Sequence, residues 1–167
     1  MTGIVLRDAG DDELDAIAEV MVAAYDEYIP PNPTGEWLAY REEIRDVRRR
    51  LGYARLIVAE ERGRILGAVT YYADAGKDEH AGWPPGWAGI RLLGVHPDAR
   101  GRGVGRSLTA ECIRRARAAG RTAVGLHTTE FMAVARAMYE RMGFVRVPEL
   151  DFRPVPGIHV MAYRLGL

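Results

Sequence analysis

Between Arg100 and Ser107 the chain reads Arg-Gly-Arg-Gly-Val-Gly-Arg-Ser. Alternate glycines let successive backbone N–H groups point into one concavity without a side chain in the way. The segment follows an apolar run and opens a stretch of helical periodicity. The partial positive charge of a helix N-terminus therefore adds to those donors. Together they predict a cradle for a pyrophosphate. Two phosphate motifs fail here. A Walker loop needs a leading glycine and a Gly-Lys-Ser/Thr end, but the chain offers Arg100 and Gly105-Arg106-Ser107. A dinucleotide fingerprint needs a third glycine where Arg106 stands.

The pattern that remains is Arg-x-x-Gly-x-Gly, carried by Arg100, Gly103 and Gly105. It resembles the acetyl-CoA signature of the GNAT N-acetyltransferase superfamily. Leu92-Leu93-Gly94-Val95-His96-Pro97 resembles the strand before that signature. Tyr139-Glu140-Arg141-Met142-Gly143-Phe144 resembles the family's later helix-to-strand segment.

The resemblance implies an enzyme that moves an acetyl group from acetyl-CoA to a primary amine of a small molecule or peptide, with no metal. It implies that Leu93, Gly94 and Val95 meet the pantetheine arm, and that a backbone N–H near Gly94 or Val95 is the oxyanion donor. The pyrophosphate would lie on Gly101, Arg102, Gly103, Val104, Gly105 and Arg106, with the Arg100, Arg102 and Arg106 side chains adding charge-assisted bonds. Tyr139 matches the family's general acid, a phenol able to protonate the leaving thiolate.

Two positions depart from the pattern. Met132 stands where many members carry a CoA-contacting Asn, and Ala88-Gly89-Ile90-Arg91 carries no acid where many place a catalytic Glu. The base is therefore open among His127, Glu130, Glu27, Tyr28 and His80. A non-catalytic acyl-CoA sensor is the alternative reading. The family's acceptor contacts map to Tyr25, Glu27, Tyr28 and Trp37 and to the 151–158 segment, with His80 in a further loop; acids beside aromatics suit a cationic amine.

These residues need elements to hold them. Gly3–Arg7 reads as a strand, and Leu14, Ile17, Ala18, Met21 and Tyr25 as a helix face behind an acidic start. Pro30-Pro31-Asn32-Pro33 stops that helix. Thr34 opens a second helix whose apolar side runs Trp37, Leu38, Ile44, Leu51. Two strands, 54–60 and 65–72, flank a Glu-Arg-Gly-Arg turn. Residues 73–87 form a long polar loop, a candidate binding loop or lid.

An apolar strand spans 89–95, a helix 103–119, a strand 122–128 and a helix 130–142, the last with Val134, Ala135, Met138 and Met142 on one face. Strands at 144–147 and 158–164 close the chain. The order is strand, two helices, three strands, helix, strand, helix, two strands. It is an α/β arrangement, expected as a single domain over 1–167. It matches the order of the GNAT fold, whose mixed, mostly antiparallel sheet is flanked by helices.

Composition narrows the partners. Apolar residues are 48% and charged residues 28% of 167, ordinary for a globular protein. Basic and acidic residues balance at 23 each, which disfavours nucleic-acid binding through a general basic field. One cysteine, Cys112, allows no internal disulfide. The N-terminus lacks a secretory pattern and no apolar run is long enough for a membrane span, so a cytoplasmic protein is expected. A homodimer is left open.

Overall fold

The computed structural model describes residues 3–78 and 81–167. His80 lies outside them. Seven strands and four α-helices alternate in the expected order. They are β1 (Val5–Asp8), α1 (Leu14–Tyr25), α2 (Gly35–Arg45), β2 (Arg55–Glu61), β3 (Arg64–Tyr72), β4 (Trp87–Val95), α3 (Val104–Ala118), β5 (Ala123–Thr129), α4 (Ala133–Arg141), β6 (Val145–Arg146) and β7 (Val160–Gly166).

The strands are hydrogen-bonded in the order β1-β2-β3-β4-β5-β7-β6. The β1–β2, β5–β7 and β6–β7 pairs are antiparallel. The β4–β5 pair is parallel, running from Trp87–Ala123 to Ile90–Leu126. Two parallel neighbours need a crossover, and α3 supplies it. The chain divides into two compact units, residues 3–70 with 92–111, and the described residues of 71–91 with 112–167.

In the first unit α1 begins on a 3-10 turn, Asp11–Glu13. The Glu13 carboxylate accepts from the Gly10 N–H at 2.7 Å, which satisfies an orphan helix donor, and pairs with Arg7. Leu14, Ile17, Ala18, Met21 and Tyr25 are all buried, as their spacing requires. The second helix differs from expectation. It ends at Arg45, because Asp46 leaves helical geometry with ψ 68° and its carboxylate starts a new 3-10 turn by accepting from the Arg49 N–H. Leu38, placed on the apolar side, is exposed, while Ile44 is buried. The β2–β3 turn puts Arg62 and Gly63 at φ 52° and 79°, the left-handed pair of a tight hairpin.

In the second unit the described part of the 73–87 segment is packed down rather than a free lid. Ala75, Ala81 and Trp83 are buried with Val147 and Ala162 in one cluster. The Trp83 ring lies flat on Gly125, where a Cβ would stand 2.9 Å from it. The face of α4 also differs. The helix starts at Ala133, later than expected, and leaves Val134 82% exposed. Tyr139, off the expected stripe, is 5% exposed and packs edge to face with Phe144 at 5.7 Å. Among the described residues no helix is long and apolar enough to cross a membrane.

Candidate functional site

The glycine turn lies in the first unit. After β4, His96 accepts the Asp98 N–H on Nδ1 and opens a short 3-10 turn, Pro97–Ala99. Arg100 is extended. Gly101 and Gly103 then take φ 73° and 77°, a left-handed backbone that a side chain makes costly. A Cβ at either would meet nothing within 4 Å, so these glycines answer to backbone conformation and leave open space before the helix.

Helix α3 starts at Val104, which is buried, and its first turn holds no acid. It holds Arg106, a cation at the positive end of a helix, with no ion-pair partner among the described residues. Such an end favours an anion. The other two arginines are engaged. Arg102 grips Glu61 through two bonds of 2.8 and 2.9 Å. Arg100 lies 2.7 Å from the Glu27 carboxylate and donates to the Ala24 carbonyl at 3.0 Å.

Strand β4 reaches this turn through an irregularity. Leu92 has φ 51°, in the region that disfavours a branched side chain. The next carbonyl, Leu93, accepts a 2.7 Å bond from the Tyr25 hydroxyl. At Gly94 a Cβ would lie 2.9 Å from the Met21 sulfur and 3.1 Å from the Ala24 Cβ, so only glycine lets α1 pack against the strand. Val95 ends β4 half-buried. Tyr25 is therefore an anchor of β4 as well as a wall of an aromatic group. Its ring stands 6.3 Å from both Tyr28 and Tyr40, and Trp37 stands 6.4 Å from Tyr40, all edge to face. Burial, then the neighbouring Glu27, push the Tyr28 phenol up.

The second unit holds Tyr139, His127 and Glu130. The Tyr139 hydroxyl makes no hydrogen bond to a described residue. Burial above all, and then Cys112, hold its phenol above the ordinary tyrosine range, so it keeps its proton. His127 is sandwiched. Trp83 stacks on it at 4.4 Å and Phe152 meets it edge-on at 5.0 Å. Its Nε2 donates to the Leu150 carbonyl at 2.9 Å, and burial lowers its pKa. This environment makes His127 a packed, neutral ring.

Glu130 does not cap α4. Its carboxylate meets His159 Nδ1 at 2.8 Å, while His159 Nε2 meets Asp151 at 2.7 Å, an arrangement in which both ring nitrogens donate. Asp151 also takes two Arg146 bonds of 2.8 and 2.6 Å and the Ala162 N–H at 2.7 Å. Arg146 above all holds it far below the usual carboxylate range. Sequence reasoning missed Arg146 and His159. Their partners lie across a proline-rich loop, and no local periodicity marks them. Among the described residues no group of three or more His, Cys, Asp or Glu could hold a metal ion.

The profile of the family described as "Acetyltransferase (GNAT) family" matches residues 17–144. The chain belongs to the GNAT acetyltransferase family. That confirms the resemblance carried by the glycine signature, and the seven-stranded order agrees with the expected fold.

Among similar proteins is a mycothiol acetyltransferase from Cellulomonas flavigena, 38% identical over 105 residues, covering 62% of this chain and 30% of the relative. The chain thus spans about a third of the length of such relatives. An L-methionine sulfoximine/L-methionine sulfone acetyltransferase from Pseudomonas paraeruginosa is 30% identical over 149 residues, covering 83% of this chain and 78% of the relative. In fold, the chain is similar to a GNAT-family acetyltransferase from Staphylococcus aureus Mu50, with TM-score 0.72, 13% identity and coverage of 98% and 99%. The yncA structure from Salmonella typhimurium, solved with its cofactor acetyl-CoA, gives TM-score 0.65, 20% identity and coverage of 99% and 94%.

Proposed function

We propose that the protein is an acetyl-CoA-dependent N-acetyltransferase acting on a primary amine of a small molecule. The observation that carries this reading is the left-handed Gly101–Gly103 turn leading into α3, with Arg106 in its first turn. Open space before the helix, first-turn N–H groups that have no intrahelical acceptor, and a cation that disfavours its own helix end all fit a pyrophosphate. Two relatives named for acetylating small molecules support the acceptor class.

When bound, acetyl-CoA supplies a thioester carbonyl; the C–N bond to the amine forms there as the C–S bond breaks. The protein's own residues then have three tasks. Backbone N–H groups near Gly94 and Val95, held by the Tyr25–Leu93 bond, donate to the carbonyl oxygen as it gains charge. Tyr139, which burial keeps neutral, matches the family's general acid and is the residue we assign to give its proton to the departing sulfur. The amine must arrive neutral, and its second proton passes to water or to a neighbouring carboxylate after attack. His127 is not suited to that role, because its Nε2 is spent on Leu150 and its ring is enclosed.

Calorimetric titration with acetyl-CoA, with ATP and NAD as controls, tests the cradle. Micromolar binding of acetyl-CoA alone is the expected result, and none up to millimolar overturns it. A panel of primary amines that includes L-methionine sulfoximine, read by free-thiol release, then separates an enzyme from an acyl-CoA sensor.

A further inference from the structure

The first residue of the signature, Arg100, is committed elsewhere. Its guanidinium bonds the Ala24 carbonyl, at the negative end of α1, and the Glu27 carboxylate. Tyr28 completes the group: burial above all, and then Glu27, push its phenol up, while Arg100 opposes them. Neither side chain of the pair is packed down, with 40% of Arg100 and 46% of Glu27 exposed. A pair of that kind is weak, and a phosphate offers the guanidinium more charge and a bidentate edge.

We propose that Arg100 changes partner when the cofactor binds, leaving Glu27 for a phosphate. This inference rests on the acetyl-CoA reading above. Its departure uncovers the Glu27 carboxylate and the Ala24 carbonyl beside the Tyr25, Tyr28, Tyr40 and Trp37 rings. An uncompensated acid next to aromatic faces takes a cation. While Arg100 stays, an arriving cation meets a neutralised acid and a like charge. Acetyl-CoA therefore binds first. The reacting amine must be neutral to attack, so the cation held by Glu27 is a second one. The acceptor class is an amine with a further positively charged group.

The test is calorimetry on wild type, Glu27→Gln, Arg100→Ala and the double variant. Glu27→Gln is expected to bind acetyl-CoA about two- to fivefold more tightly than wild type, the worth of an exposed ion pair. The gain is expected to vanish in the Arg100→Ala background. Putrescine is expected to bind wild type saturated with CoA, but neither the ligand-free protein nor CoA-saturated Glu27→Gln. Unchanged or weaker acetyl-CoA binding by Glu27→Gln, or a gain that survives without Arg100, overturns the exchange. Putrescine binding that ignores CoA, or that is missing with CoA bound, overturns the acceptor assignment. A wild type that binds no acetyl-CoA overturns the proposed function itself.

Discussion

The Tyr25 hydroxyl, at the last residue of α1, donates a 2.7 Å bond to the Leu93 carbonyl, one residue past the left-handed Leu92. This bond ties the irregular part of β4 to a helix. Removing it leaves a partly buried carbonyl without its donor, which costs about 1–2 kcal/mol. Tyr25→Phe is expected to lower stability by that amount in urea denaturation. It is also expected to weaken acetyl-CoA binding, because β4 would no longer be fixed ahead of the turn.

Gly103 and Gly120 form a matched pair for testing the cradle. Both have positive φ, 77° and 68°, and a Cβ at either meets nothing within 4 Å. Alanine at either is expected to cost about 1–2 kcal/mol of backbone strain. Only Gly103→Ala is expected to weaken acetyl-CoA binding, by about tenfold. Equal affinities for the two variants in calorimetry would remove Gly103 from the cradle.

Glycines were legible because the residue type itself reports a left-handed backbone: Gly101, Gly103 and the Arg62–Gly63 turn stand where the sequence places them. Leu92 has the same sign of φ with a side chain that gives no warning. The face of α4 differs from the periodicity because its first turn starts at Ala133, which leaves Val134 to solvent and Tyr139 inward. His127 reads as a free base until Trp83, from a loop that looks polar, is seen stacked on it. The motif alone points Arg100 to phosphate; its partners in the structure, Ala24 and Glu27, come from a distant helix end. What escaped the sequence is mostly side-chain pairing across long chain separations.

Ala75, Ala81 and Trp83 of the 73–87 segment belong to a core, and Gly125 is where that can be tested. A Cβ there would lie 2.9 Å from two atoms of the Trp83 ring. The ring is also stacked on Trp87 at 5.7 Å, which limits its retreat. Gly125→Ala is expected to destabilise by about 1–3 kcal/mol, the usual cost of overpacking. Thermal unfolding and near-UV dichroism of the tryptophans would both register the change; an unchanged melting temperature would contradict the packing.

Acid should loosen the first unit through Glu13. The Arg7 guanidinium, then the Gly10 N–H, lower its pKa from an ordinary 4.5 to about 2. A carboxylate depressed in the folded state stabilises fully above its unfolded value and loses that contribution as pH falls through its folded one. The contribution is therefore complete above about pH 5 and fades between about pH 4.5 and 2. Glu13→Gln is expected to be less stable than wild type by about 1–2 kcal/mol at neutral pH. The gap should close near pH 2. Urea denaturation across that range measures it, and a gap that stays constant with pH would refute the pairing.

Tyr139 faces two readings that one variant separates. It is the buried residue of α4 and packs edge to face on Phe144, a contact that phenylalanine would keep. Its hydroxyl has no hydrogen-bond partner among the described residues, so Tyr139→Phe removes no protein bond. The packing reading therefore predicts an unchanged turnover and unchanged or slightly raised stability. The general-acid reading predicts that kcat falls by about a hundredfold or more, while acetyl-CoA affinity stays within twofold. Because burial holds the phenol above its ordinary value of 10.0, no loss of activity from its ionisation is expected up to about pH 10. Steady-state kinetics with an amine identified by thiol release, run across pH for both proteins, decides between them. A phenylalanine variant as fast as wild type would leave Tyr139 as packing, with the leaving thiolate protonated by solvent.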